Sequence, residues 1–290
     1  MTLVDALIVP FSDYAFMRRA LVGSIALSLG CAPLGVFLLL RRLSLIGDAV
    51  SHAILPGVAI GYLIFGLAGW AMALGGLISG LMVALFAGLA ARHSELKEDA
   101  SVAGFYLIAL ALGVALLSRS SGNIDLLNLL FGSVLAVDEN ALLLLAGVAS
   151  FTLLLLAVFL RALVLESADP EFLRAVNGRG GLAHVAFLVL VVVNLVAGFQ
   201  ALGTLMSVGL MMLPAACSRL WSSRLDSMLG LAVLFALLSS VSGLLLSYHF
   251  DLPSGPAIIL AAGAVYIVSL LIGRQGGVFR RIWQHHHLEA

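Results

Sequence analysis

Runs of about twenty apolar residues follow one another along nearly the whole chain, parted by short polar stretches, and nothing else limits its fold so strongly. At 1.5 Å per residue, a helix of that length crosses the roughly 30 Å hydrocarbon core of a bilayer. Inside that core only helices and closed barrels satisfy every backbone N–H and C=O. The runs lie near 14–40, 49–65, 69–91, 101–117, 141–160, 182–197, 202–217, 229–248 and 255–272. Only 10% of the residues are charged, against about a quarter in a soluble domain. The chain therefore reads as an all-α, polytopic integral membrane helical bundle of eight or nine transmembrane helices, a single domain over residues 1–290. A short polar tail follows from about 274. Residues 124–137 are apolar but too few to cross, which suits a re-entrant or interfacial helix. No cleavable leader is expected, because residues 1–13 carry Asp5 and Asp13 and lack a basic start. Cys31 and Cys217 sit in or beside apolar segments and read as small packing residues.

Basic residues orient the bundle. Arg41 and Arg42, Arg92 and Lys97, Arg161, Arg174 and Arg179, Arg219 and Arg224, and Arg274, Arg280 and Arg281 fall in alternate loops. The positive-inside rule makes that face cytoplasmic. The opposite face carries Asp125, Asp138, Glu139 and Asp251 against Arg119, an acidic rim that modestly concentrates cations. Nine crossings with the C-terminus inside would leave Arg18 and Arg19 outside, so the count stays at eight or nine.

Within this apolar setting, Leu45-Ile-Gly-Asp-Ala-Val-Ser-His-Ala-Ile-Leu-Pro-Gly places Asp48 and His52 four residues apart. On a helix they share a face, roughly 6 Å apart along the axis. Ionisable groups at membrane depth are costly unless they line a wet cavity or bind something charged. A carboxylate and an imidazole can together ligate a divalent transition metal. Gly47 and Pro56-Gly57 bracket the pair and permit an irregular backbone. The plainer reading is a buried pair in which the imidazole satisfies the carboxylate.

Other polar positions carry weaker signals. Asp169, Pro170 and Gly178 can cap, start and end a short amphipathic helix, with Phe172 and Val176 on one face. From spacing alone this is either a solvated loop helix or a knob for a cytoplasmic partner, and the first is the commoner. His249 and Asp251, two residues apart on the outer side, could receive a metal at the outer mouth, although they read more simply as loop residues. His184 opens a span and reads as interfacial. Asn194, Gln200 and Thr204 suit hydrogen bonds between helices, and Gly203, Ser207 and Gly209 suit close helix contact. The His285-His-His287 tail reads as inert.

The stretch Ala32-Pro-Leu-Gly through Arg41-Arg-Leu-Ser-Leu-Ile-Gly-Asp-Ala-Val-Ser-His-Ala-Ile-Leu-Pro-Gly-Val-Ala resembles the permease subunit of zinc/manganese ABC importers. Leu130-Phe-Gly-Ser-Val-Leu-Ala-Val, Asp169-Pro-Glu-Phe, Leu213-Pro-Ala-Ala and Asp251-Leu-Pro-Ser-Gly-Pro continue the likeness in the same order. The resemblance implies a permease in the bacterial inner membrane that moves a divalent metal, Zn²⁺ or Mn²⁺ with Fe²⁺ as a further option, into the cytoplasm by alternating access. No permanently bound cofactor is implied. The implied partners are a second permease copy forming a homodimer, two cytoplasmic ATPase subunits and an extracytoplasmic metal-binding protein. Asp48 and His52 then fall in the translocation pathway. Residues 169–177, with Asp169, Pro170, Glu171, Phe172 and Arg174, resemble the coupling helix that seats in the ATPase, which reverses the preference drawn from spacing alone.

Other classes fit less well. No Gly-x-x-x-x-Gly-Lys phosphate loop is present, so ATP hydrolysis is expected in a partner subunit and not in this chain. An intramembrane metalloprotease would need a His-Glu-x-x-His, which is absent. A carrier driven by an ion gradient would suit the composition, but not the Asp169-Pro-Glu-Phe segment.

Overall fold

The computed structural model describes residues 3–66, 68–93, 98–118, 137–168 and 180–278. They form eleven helical segments: α1 (Leu3–Asp13), α2 (Ala15–Leu40), α3 (Ser44–Ala53), α4 (Leu55–Phe65), α5 (Gly69–His93), α6 (Glu98–Ser118), α7 (Glu139–Ala168), α8 (Gly180–Leu202), α9 (Thr204–Trp221), α10 (Leu225–Phe250) and α11 (Ser254–Ile272). No strand occurs among the described residues. Eight spans, with α3 and α4 counted as one, are long and apolar enough to cross a membrane. The segments expected at 169–177 and, apart from Val137, at 124–137 lie outside the described residues, as does the tail beyond Val278.

Burial divides the helices by role. The central helix, α2, is enclosed almost throughout by α7, α8, α9 and α10, whereas α5, α6 and α7 show most of their surface. Lipid offers no hydrophobic drive for helices to associate, so close fit and hydrogen bonding must hold them. Small residues supply the fit: Gly35 of α2 faces the Met211 carbonyl, and Gly209 and Gly243 face Ile259 and Ile258 of α11. Asn194 donates to Thr152 Oγ1 at 2.7 Å across α8 and α7, and Gln200 donates to the Gly69 carbonyl at 2.6 Å, as expected of both. Ser207 packs against Gly198, while Gly203 serves a different purpose from the one expected. At φ 96 it lies in the left-handed region and reverses the chain between α8 and α9 across one residue. Cys31 and Cys217 are free and buried.

Contacts at the two ends settle the crossing order. At one end Arg19 pairs with Glu139 at 3.0 Å, and the Tyr14 and Tyr248 rings lie 5.7 Å apart. The start of α2, the start of α7 and the end of α10 therefore share a face. At the other end Arg41 meets Glu166, and the Gln275 N–H bonds to the Leu220 carbonyl at 2.9 Å. The described rods alternate between these faces only if α9 crosses as well. That eighteen-residue helix is the ninth rod; it carries Thr204, Ser207, Pro214 and Ser218 and is packed among α2, α10 and α11. Neighbours rather than lipid cover its polar groups. With the basic loops taken as cytoplasmic by the positive-inside rule, Arg18 and Arg19 stand at the opposite, outer end with acidic Asp138 and Glu139.

Candidate metal centre

The turn between α2 and α3 fixes where the site begins. The Arg42 N–H bonds to the Leu39 carbonyl at 3.2 Å and the Leu43 N–H to that of Leu38 at 2.9 Å. This is the two-bond stop that satisfies the last carbonyls of a helix, with Arg42 in the left-handed position at φ 60. Leu43 is buried beside it, so α3 starts at Ser44 with little slack.

On α3 the residues Ile46, Gly47, Ala49, Val50, Ser51 and Ala53 are buried, leaving Leu45, Asp48 and His52 along the open stripe. His52 Nε2 stands 3.7 Å from Asp48 Oδ1, and the two side chains are 34% and 64% exposed. Packed hydrocarbon does not wall in the pair. The imidazole stacks on Tyr106 of α6, with ring centroids 6.3 Å apart. Its Nδ1 is buried without a hydrogen-bond partner among the described residues, and Nε2 is the nitrogen beside the carboxylate.

The helix then breaks at Ile54, as the bracketing glycines and proline suggested. Pro56 has no N–H to continue the ladder. It therefore gives nothing to the His52 carbonyl four residues back, and the neighbouring Ala53 carbonyl accepts from Ser79 Oγ of α5 at 2.7 Å. Gly57 and Gly75 bring α4 and α5 into backbone contact just beyond the break.

Two ligands do not complete a metal's coordination, and among the described residues no third His, Cys, Asp or Glu joins them. A resident metal histidine normally anchors its other nitrogen on a carboxylate or carbonyl. Among the described residues His52 Nδ1 has no such anchor. His249 and Asp251 are exposed at the outer end, where His249 lies edge-on to Tyr248 and Asp251 closes α10 in the left-handed region at φ 51. They are at the opposite face from the start of α3. Asp169, Pro170, Glu171, Phe172 and Arg174 lie outside the described residues. One group went unforeseen: Arg41, read from sequence as a charge that orients the bundle, and His184, read as interfacial, meet Glu166, beyond the expected end of the fifth span, in a buried cluster. The signal for it was a carboxylate, Glu166, directly at the end of a long apolar run.

An alternating bundle of apolar helices, with an ionisable pair exposed at a break in one span, defines a polytopic membrane transport protein. The profile of the ABC 3 transport family matches residues 13–273, and the chain belongs to that family. It is similar to the manganese transport system membrane protein MntC of Halalkalibacterium halodurans, 34% identical over 273 residues, covering 94% of this chain and 92% of the relative. The chelated iron transport system membrane protein YfeD of Yersinia pestis is 30% identical over 262 residues, covering 90% and 86%. Among solved structures, PsaBC from Streptococcus pneumoniae in complex with Fab superposes with a TM-score of 0.82 at 31% identity, covering 94% of this chain and 97% of that one. The chain is thus an integral protein of the bacterial inner membrane and a transport subunit, which sets aside the gradient-driven carrier.

Proposed function

We propose that this chain is the permease of an ABC importer that brings a divalent transition metal into the cytoplasm, with Asp48 and His52 as ligands on the route. The observation carrying this reading is the open carboxylate–imidazole pair in the last turns before a helix break. An ion held about 2.1 Å from each ligand atom would bridge a 3.7 Å gap at an angle of about 125°, within the range of ordinary coordination. Carboxylate and imidazole suit Mn²⁺, Zn²⁺ and Fe²⁺ alike. The manganese transport named for the similar MntC proteins favours Mn²⁺. A second copy of the chain, water or backbone carbonyls complete the shell. Hydrolysis belongs to two cytoplasmic ATPase subunits that engage residues 169–177, and a binding protein delivers the metal at the outer rim near His249 and Asp251.

The test is uptake of radioactive Mn²⁺ by vesicles holding the assembled transporter. Asp48→Ala and His52→Ala should each lower uptake at least ten-fold while the complex still assembles. Wild-type uptake by both variants would remove the pair from the pathway. Competition by Zn²⁺ and Fe²⁺ in the same vesicles ranks the metals.

A further inference from the structure

Three helix ends meet in a buried charge cluster at the cytoplasmic face. Arg41 Nη2 lies 3.0 Å from Glu166 Oε2, with the side chains only 6% and 10% exposed. Arg41 Nε donates to Ser167 Oγ at 3.2 Å, and Ser167 in turn donates to the Leu163 carbonyl at 2.7 Å. The guanidinium sits 4.4 Å over the Phe187 ring, which is edge-on to Phe37. The other oxygen of Glu166 faces His184 Nδ1 at 3.3 Å. One carboxylate therefore joins the end of α7 to the start of α8, and one guanidinium ties both to the end of α2.

Such a cluster is a poor way to gain stability. Desolvating two charges offsets most of their attraction, and apolar residues of similar volume often serve equally well. What the cluster provides is a fixed geometry between particular helix ends. Glu166 stands two residues before the described part of α7 ends, and His184 four residues after α8 begins, so they hold the two roots of the 169–179 stretch. Arg41 caps α2, and the three-residue stop that follows sets the start of α3. Asp48 comes seven residues after Arg41 and four after the start of α3.

We propose that Arg41, Glu166 and His184 are positioning residues that transmit displacement of the cytoplasmic ends of α7 and α8 to α3, and so to Asp48 and His52. The inference rests on the metal-importer reading above. In this scheme ATP-driven movement at the roots of 169–179 reaches the metal pair through one ionic strut that joins α2, α7 and α8.

The experiment measures Mn²⁺ uptake and ATP hydrolysis side by side, in proteoliposomes carrying the complete transporter and a metal-loaded binding protein. Arg41→Met and Glu166→Gln should keep hydrolysis within two-fold of wild type and lower the metal moved per ATP at least ten-fold. The double variant Arg41→Met/Glu166→Leu removes both charges and leaves an apolar contact. It should assemble normally and remain uncoupled, and it decides the matter if either single variant fails to assemble. A merely structural pair predicts the opposite: the apolar double variant would restore the wild-type ratio. That restoration, or a wild-type ratio in the assembled single variants, would overturn the proposal. Absence of Mn²⁺ uptake by the wild-type complex would instead defeat the importer reading.

Discussion

Replacing Gly57 with alanine probes the packing that holds the broken span in place. A Cβ there would drive into the Gly75 carbonyl oxygen and lie 2.7 Å from Ser79 Cβ. Carbon atoms in ordinary contact sit about 3.5–4.0 Å apart, so α5 must retreat by about 1 Å. The obstacle is backbone, and no rotamer change relieves it. Overpacking of this kind costs about 1–3 kcal/mol. The same retreat stretches the Ser79 Oγ to Ala53 O bond from 2.7 Å to about 3.7 Å, beyond the reach of a hydrogen bond. That bond satisfies the carbonyl at the break, one residue after His52, so the metal pair loses its fixed frame as the helix pair loosens. Purified transporter in detergent, heated and then scored by size exclusion, should unfold several degrees lower for Gly57→Ala, and Mn²⁺ uptake should fall several-fold. Gly75→Ala should do the same, because its Cβ meets the Gly57 carbonyl in turn. Gly104→Ala on α6 is the control: its Cβ meets nothing within 4 Å and should leave both measurements unchanged. Wild-type melting and uptake for Gly57→Ala would mean that α4 and α5 do not cross this closely in the working protein.

Three further substitutions test other parts of the reading. Tyr106→Ala removes the ring under His52; a stacked contact of about 0.5–1.5 kcal/mol corresponds to a 2- to 10-fold rise in the Mn²⁺ concentration giving half-maximal uptake, with maximal uptake retained. Phe172→Asp, on the segment proposed to seat in the ATPase, should leave hydrolysis intact while uptake is lost, and coupled turnover at the wild-type ratio would reject that role. Thr152→Val deprives Asn194 of its partner across α7 and α8; interhelical hydrogen bonds in membranes contribute about 0.6–1.7 kcal/mol, so a modest fall in melting temperature with uptake preserved is expected.

The spans were legible because the bilayer demands about twenty apolar residues for each crossing, and 69–91 or 255–272 match α5 and α11 almost residue for residue. The errors share one direction. Hydropathy began the second span at residue 49, whereas α3 begins at Ser44 and holds Asp48 in its second turn. It ended the fifth at residue 160, whereas α7 runs on to Ala168 and carries Glu166 inward. Both helices continue past the point where polarity made them look like loops. The polar turn at the end of α7 is covered by other protein segments, so the bilayer's solvent rule does not apply there, whereas the start of α3 leaves Asp48 on an open stripe.

That pattern bears on where function resides in such a chain. A hydropathy profile measures what lipid tolerates, and is blind wherever a charge is met by another helix. Asp48 and His52 could be placed on one face from spacing alone, because an i, i+4 relation is local. Whether that face was open depended on how α6 and α8 pack against α3, a matter of contacts distant in sequence. The partnership of Arg41 with Glu166 lies 125 residues apart and leaves no periodic trace. Polar residues at the cytoplasmic margins of spans are thus the positions where a sequence profile trims most and where this bundle holds its ionisable chemistry. Arg41 opens the three-residue turn 41–43 and Asp48 stands in the helix that follows it, which is the physical ground for expecting a change at one to be felt at the other.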